Sequence, residues 1–269
     1  MAAAASDRLF VLADQAGRAG VADFYALRLG PAGQVVSLRR VPRLPAVDGQ
    51  IYGLAVSADG SEFAVATMPR VPGSGSVRVS VFGPTSAVTS RSWAAVAGAA
   101  STLSWASGGR LAFYWGDARR PARSGLRILS TAGRLGGEQG APGGGDTSLL
   151  SQSRLAVAAQ NHSGSAQITA DGSMVLTAAA EASSGPAAAQ TRLGEFSAAS
   201  GRLLRWLPLT GQNTGVTYCG VLWASRADSK LITQCGDVQE EINGSHVTRI
   251  RLPVIIEDSV VGYQNSFAW

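Results

Sequence analysis

The chain has 269 residues, 45% of them hydrophobic and only 15% charged, with 33 glycines and 11 prolines. That length supports a large core, and the composition suits short strands with many turns while excluding a disordered chain. The net charge of +5 and pI ≈ 9.8 suggest a polyanion partner. However, Lys230 is the only lysine and the arginine clusters at 39–43 and 119–123 carry no interleaved aromatics, so a GC-rich coding bias explains the charge better than nucleic-acid binding.

The apolar runs, such as Val254-Ile255-Ile256, fall far short of the ~20 residues of a spanning helix, so this segment is not expected to insert into a membrane. Residues 1–6 lack the basic and apolar regions of a signal peptide and read as a linker or a start inside a longer reading frame.

From there the chain reads as short strands. The first lies at 8–13, the second at 24–29 and, past Gly30-Pro31-Ala32-Gly33, the third at 35–41. A hairpin follows: Leu54-Ala55-Val56, a turn through Asp59-Gly60, and a strand with Phe63 and Val65 alternating with smaller residues. Asp-Gly supplies the backbone angles such a turn requires. Val77-Arg78-Val79-Ser80-Val81 alternates with period two, and 88–93 completes a unit of four. The order recurs at 103–106, 110–115, 126–129 and 154–158, and again around Asp171-Gly172 with 191–196 and 202–206. It returns at 221–224, 230–233, 238–242 and 246–252, the last two joined by Asn243-Gly244. No stretch of helical period competes.

Repeated four-strand units predict an all-β fold, a β-propeller of four-stranded antiparallel blades. One propeller domain is expected over 7–269, with five blades at about 7–50, 51–98, 101–160, 165–211 and 216–253. Ser266-Phe267-Ala268-Trp269 resembles Thr102-Leu103-Ser104-Trp105, so 263–269 is expected to close the ring as inner strand beside residues 8–13. The alanine-rich start, standing where an inner strand belongs, favours truncation from a ring of six or more blades.

The inner strands ending in Trp, the Ala-Asp-Gly-Ser turns, the segment 195–207 (EFSAASGRLLRWL) and the terminal Phe-Ala-Trp resemble the WD-repeat-like propellers of actinobacteria. The Gly-His and Trp-Asp dipeptides of true WD repeats are absent. The resemblance implies an extracytoplasmic propeller of a membrane-anchored protein whose anchor is not in this chain; a cytoplasmic location is the alternative.

Chemistry is sparse. His162 and His246 are the only histidines, and no metal-ligand spacing, nucleophile elbow or phosphate-binding glycine loop occurs. No catalytic residue, metal or cofactor is therefore expected. Asp59 and Asp171 each stand alone in a turn, unlike calcium ligands. Trp105, Trp223 and Trp269 fall at matching inner-strand positions, where packing between blades is favoured over a ligand-lined channel. Cys219 and Cys235 lie nearly equidistant from the turn at 226–228; facing positions on antiparallel strands are within disulfide reach, which predicts a bond and an oxidising compartment.

The expected function is a monomeric, non-enzymatic interaction or scaffold module for a protein, peptide or glycan, working through loops that do not repeat. Arg70, Asp117, Arg119, Arg120 and Arg123 are the expected contact residues. The alternative is an exported lactonase- or glycosidase-like hydrolase with carboxylates converging on the channel.

Overall fold

The computed structural model describes residues 2–3, 9–14, 22–30, 34–41, 49–57, 59–69, 76–83, 89–96, 98–117, 119–131, 148–158, 166–180, 191–208, 219–224, 230–235, 238–243 and 245–250. They form five four-stranded antiparallel sheets arranged as a five-bladed β-propeller, the fold class the strand pattern predicts. Blade 1 comprises β1 (Ala2–Ala3), β2 (Leu9–Asp14), β3 (Asp23–Leu29) and β4 (Val35–Arg40). Blade 2 comprises β5 (Gln50–Val56), β6 (Phe63–Met68), β7 (Val77–Phe82) and β8 (Thr89–Ala95). Blade 3 has β9 (Ala99–Ala106), β10 (Arg110–Gly116), β11 (Gly125–Ser130) and β12 (Ser153–Ala158), with a short helix α1 (Ser148–Gln152) before β12. Blade 4 has β13 (Ala166–Ile168), β14 (Met174–Ala180), β15 (Thr191–Ser197) and β16 (Leu203–Trp206). Blade 5 has β17 (Cys219–Ala224), β18 (Lys230–Cys235), β19 (Val238–Asn243) and β20 (His246–Ile250). Inner strands of successive blades meet: β1 with β5, β5 with β9, β9 with β13, and β13 with β17.

Each blade is covered by its neighbours, so its second strand must be apolar on both faces. In β6, Phe63 and Val65 join Leu9, Val11 and Phe24 of blade 1, while Ala64 and Ala66 join Leu111 and Phe113 of blade 3. The same division occurs in β10, where Leu111, Phe113 and Trp115 face blade 2 and Ala112 faces blade 4. In β14, Val175 faces blade 3 while Leu176 and Ala178 face blade 5. In β6 and β10, large side chains on one face and small ones on the other let the blades interdigitate, and each large side chain buried contributes roughly 1.5–3 kcal/mol.

The inner strands β5, β9 and β17 each break register against their second strand, at Ile51/Gly53, opposite Ala112/Tyr114, and at Val221/Trp223 respectively. Such bulges bend a strand and increase its twist. At the seam between β5 and β9, Thr102 takes a φ of +50° and Gly53 approaches the Leu103 backbone. A Cβ on Gly53 would stand 3.1 Å from the Leu103 nitrogen, so the glycine permits this approach.

The seam of blades 3 and 4 adds polar staples. The Ser107 N–H donates to the Ala170 carbonyl (2.7 Å), and the Ile168 N–H donates to the Ser104 hydroxyl (3.1 Å). The Arg110 guanidinium donates to the carbonyls of Asp171 and Gly172.

Two expectations need correction. Beside β2 lies a strand at Ala2–Ala3, Ala2 paired with Val11 and Ala3 with Phe10, where the sequence suggests a linker because two residues carry no period. The closing strand expected at 263–269 lies outside the described residues. Helix α1 was also unforeseen, being too short for a helical pattern. It seats Leu149 in the core of blades 2 and 3, and its Gln152 accepts a hydrogen bond from the buried Trp93 indole (2.9 Å).

Candidate functional site

The connection of β10 to β11 brings four of the five expected contact residues together. Asp117 organises it: its Oδ1 accepts hydrogen bonds from the backbone N–H groups of Arg119 and Arg120, both at 3.0 Å. Its own N–H donates to the Ser124 hydroxyl (2.7 Å), which in turn donates to the Asp117 carbonyl (3.3 Å), closing the base of the loop. Pro121, with its fixed φ, opens a 3₁₀ turn over Pro121–Arg123, and the N–H groups of Arg123 and Ser124 bond back to Arg120 and Pro121. The N–H groups of Asp117, Arg119, Arg120, Arg123 and Ser124 thereby all find partners within the loop.

The side chains of Arg119, Arg120 and Arg123 all project into solvent. None is within ion-pair distance of a carboxylate among the described residues. Beneath them Arg127 on β11 is half-buried, donating to the Ser153 hydroxyl (2.9 Å) and to the carbonyls of Ser153 (2.8 Å) and Leu150 (3.1 Å). Burial, and then the nearby Arg123 charge, pull its pKa down. Four guanidinium groups therefore share one edge of blade 3, and the single acid among them spends one oxygen on backbone amides. Arg70 lies outside the described residues.

The repeated turns carry no site. The Asp59 carboxylate accepts from the hydroxyl of Ser57 (2.7 Å) and from the N–H (3.0 Å) and hydroxyl (2.8 Å) of Ser61. Those bonds, the Ser57 hydroxyl foremost, hold its pKa at about 2. Asp171 is bound alike by Ser173 and Thr169 and is also held at about 2, chiefly by the Ser173 hydroxyl. Among the described residues no group of three His, Cys, Asp or Glu side chains could hold a metal ion. The inner strands β1, β5, β9, β13 and β17 contain no Asp or Glu.

Of the three tryptophans, Trp105 is partly buried against the apolar core of blades 2 and 3; Trp269 and the side chain of Trp223 lie outside the described residues. His246 is exposed at the start of β20, and His162 lies outside the described residues. The backbone register sets Cys219 directly opposite Cys235, while their side chains lie outside the described residues.

Two features escaped sequence reasoning. Arg127 looked like an ordinary strand residue, since its proximity to the loop depends on the third strand running back beneath it. Glu195, 6% exposed, is gripped by Arg205 in a two-point ion pair (2.5 and 2.7 Å). Strand pairing of 195 with 205 was the signal available for it.

No protein-family model matches the chain, and no curated protein is similar to it. Solved structures share its fold. They include a puromycin-hydrolyzing peptidase of Mycobacterium tuberculosis, with a TM-score of 0.52 and 11% identity over 89% of this chain and 37% of that one. TolB of Acinetobacter baumannii matches with a TM-score of 0.50 and 10% identity over 91% of this chain and 51% of that one. Hydrazine synthase of Kuenenia stuttgartiensis gives 0.52 and 12% over 93% and 65%. The chain thus spans from about a third to just under two thirds of these structures, and at such identities the likeness establishes the propeller fold and nothing of the chemistry.

Proposed function

We propose that this propeller is a non-enzymatic binding module that acts as a monomer and receives an acidic surface of a protein, peptide or glycan on the β10–β11 loop. The carrying observation is the internally hydrogen-bonded loop that projects Arg119, Arg120 and Arg123 into solvent without a carboxylate partner among the described residues. A backbone already ordered by Asp117 and Pro121 loses little conformational freedom on binding, and arginine forks grip carboxylates and sulfates in two-point fashion. Inner strands without Asp or Glu weigh against hydrolysis in the channel.

We further infer an oxidising, extracytoplasmic location. Direct opposition of Cys219 and Cys235 in the backbone register supports it, because antiparallel partners lie about 4.5–5.5 Å apart at Cα, within disulfide range. Thiol titration of the denatured, unreduced protein tests this: no free thiol supports the bond, and two free thiols contradict it. The binding role is tested by titrating a fluorescent polyglutamate peptide and, separately, heparin at low salt. Saturable, salt-sensitive binding by either supports the role, and its absence with both contradicts it.

A further inference from the structure

A second surface lies on the opposite kind of element, a strand whose outer edge pairs with no strand among the described residues. In blade 1 the sheet order runs β1-β2-β3-β4, leaving β4 as the terminal strand. Its Val35, Val36 and Leu38 are 64%, 63% and 57% exposed, three of the seven large apolar side chains so exposed among the described residues. The other outer strands expose less apolar surface among the described residues: β8 turns Trp93, Ala94 and Ala95 inward, β12 buries Ala156 and Val157 and exposes Leu155 (38%), β16 exposes Leu204 (44%), and β20 exposes His246, Thr248 and Arg249. A strand edge bearing apolar side chains is a template for pairing with another chain.

The two faces of β4 differ in chemistry. Register pairs Leu38 with Leu27 and Arg40 with Tyr25 on one face, and Ser37 with Arg28 and Arg39 with Ala26 on the other. Arg40 is engaged by Asp23, whereas Arg28 and Arg39 are exposed with no carboxylate partner among the described residues. A strand laid beside β4 would meet apolar surface on one face and positive charge on the other, alternating with period two.

We propose that β4 is a strand-addition site for an extended acidic segment of a partner protein, in which apolar and acidic residues alternate. The partner adds a fifth strand to blade 1. Main-chain hydrogen bonds to the β4 edge supply attraction, the Val35–Leu38 side chains take its apolar face, and Arg28 and Arg39 take its carboxylates.

The probe is a fluorescent peptide of alternating Val and Glu, with an alternating Val and Lys peptide as control, titrated against the full chain. Binding of the Glu peptide alone is expected, together with slowed amide exchange across residues 35–40. Leu38→Glu and Arg39→Glu, both at exposed positions, should each weaken it by about tenfold with the melting temperature kept, the equivalent of about 1.4 kcal/mol. The triple Arg119→Glu/Arg120→Glu/Arg123→Glu variant, which removes the charge of the loop proposed above, should leave the peptide's protection of amides 35–40 intact. Equal binding of both peptides, loss only in the loop variant, or unchanged exchange at 35–40 would each overturn the proposal. So would concentration-dependent dimerisation abolished by Leu38→Glu, which would make a second copy the occupant.

Discussion

The Asp59 turn and the Asp117 loop rest on the same chemistry, a carboxylate oxygen accepting the backbone N–H two residues on. They differ in what surrounds that bond. Around Asp59 the neighbours are two serines whose hydroxyls consume the carboxylate, and Asp171 repeats the device with Ser173 and Thr169. Around Asp117 the neighbours are arginines, so the folded backbone fans out charge that no carboxylate among the described residues pairs with. One device shapes a blade turn and recurs in blades 2 and 4; the other shapes a surface and occurs once among the described residues. A polar group that reappears at the same place in different blades, as Asp59 and Asp171 do in blades 2 and 4, is therefore a poor candidate for function here, and one seen in a single blade among the described residues is a better one.

The largest effect separating the two is expected at Gly172. Its φ is +71°, and an added Cβ would stand 2.4 Å from the Arg110 guanidinium carbon that staples blades 3 and 4. Gly172→Ala should cost about 2 kcal/mol, from the left-handed backbone and the displaced staple together, read as a lower urea midpoint. Next come Asp59→Ala and Asp171→Ala, each expected to cost about 1 kcal/mol for hydrogen bonds lost at a largely exposed site. Both carboxyls are held at about 2, against 3.8 when unperturbed. A lowered folded pKa means stability that is present above pH 4 and lost as pH falls towards 2. The Asp59→Asn/Asp171→Asn double variant should accordingly lose less stability than the parent between pH 4 and pH 2 in acid-titrated denaturation curves.

Asp117→Ala should lower stability by only about 0.5 kcal/mol, since the loop is exposed and lacks a core role. Its consequence should fall on binding: the loop backbone loses its anchor, and affinity for polyglutamate drops while the melting temperature barely moves.

The blade was legible because its determinants are local. The Asp-Gly turns of blades 2 and 4 and two-faced apolar strands such as 63–67 leave a periodic trace in the sequence. Ala2–Ala3 and α1 were not legible, because pairing with β2 and the seating of Leu149 are decided by distant partners. In the sequence the Asp117 loop shows only as a cluster of charge. That Asp117 serves the backbone while the arginines face solvent follows from hydrogen bonds between residues two, three and seven apart. Arg127 and the exposed edge of β4 depend on sheet order, which no local pattern encodes.

The most direct measurement compares the parent chain with the Arg119→Glu/Arg120→Glu/Arg123→Glu variant in polyglutamate binding at low and moderate salt. Replacing exposed loop residues should shift stability by no more than about 0.5 kcal/mol. Binding by the parent that weakens with salt, and that the variant loses by about tenfold or more while keeping its melting temperature, is the predicted result. Equal affinity of the two proteins would contradict the assignment of this loop as the binding surface.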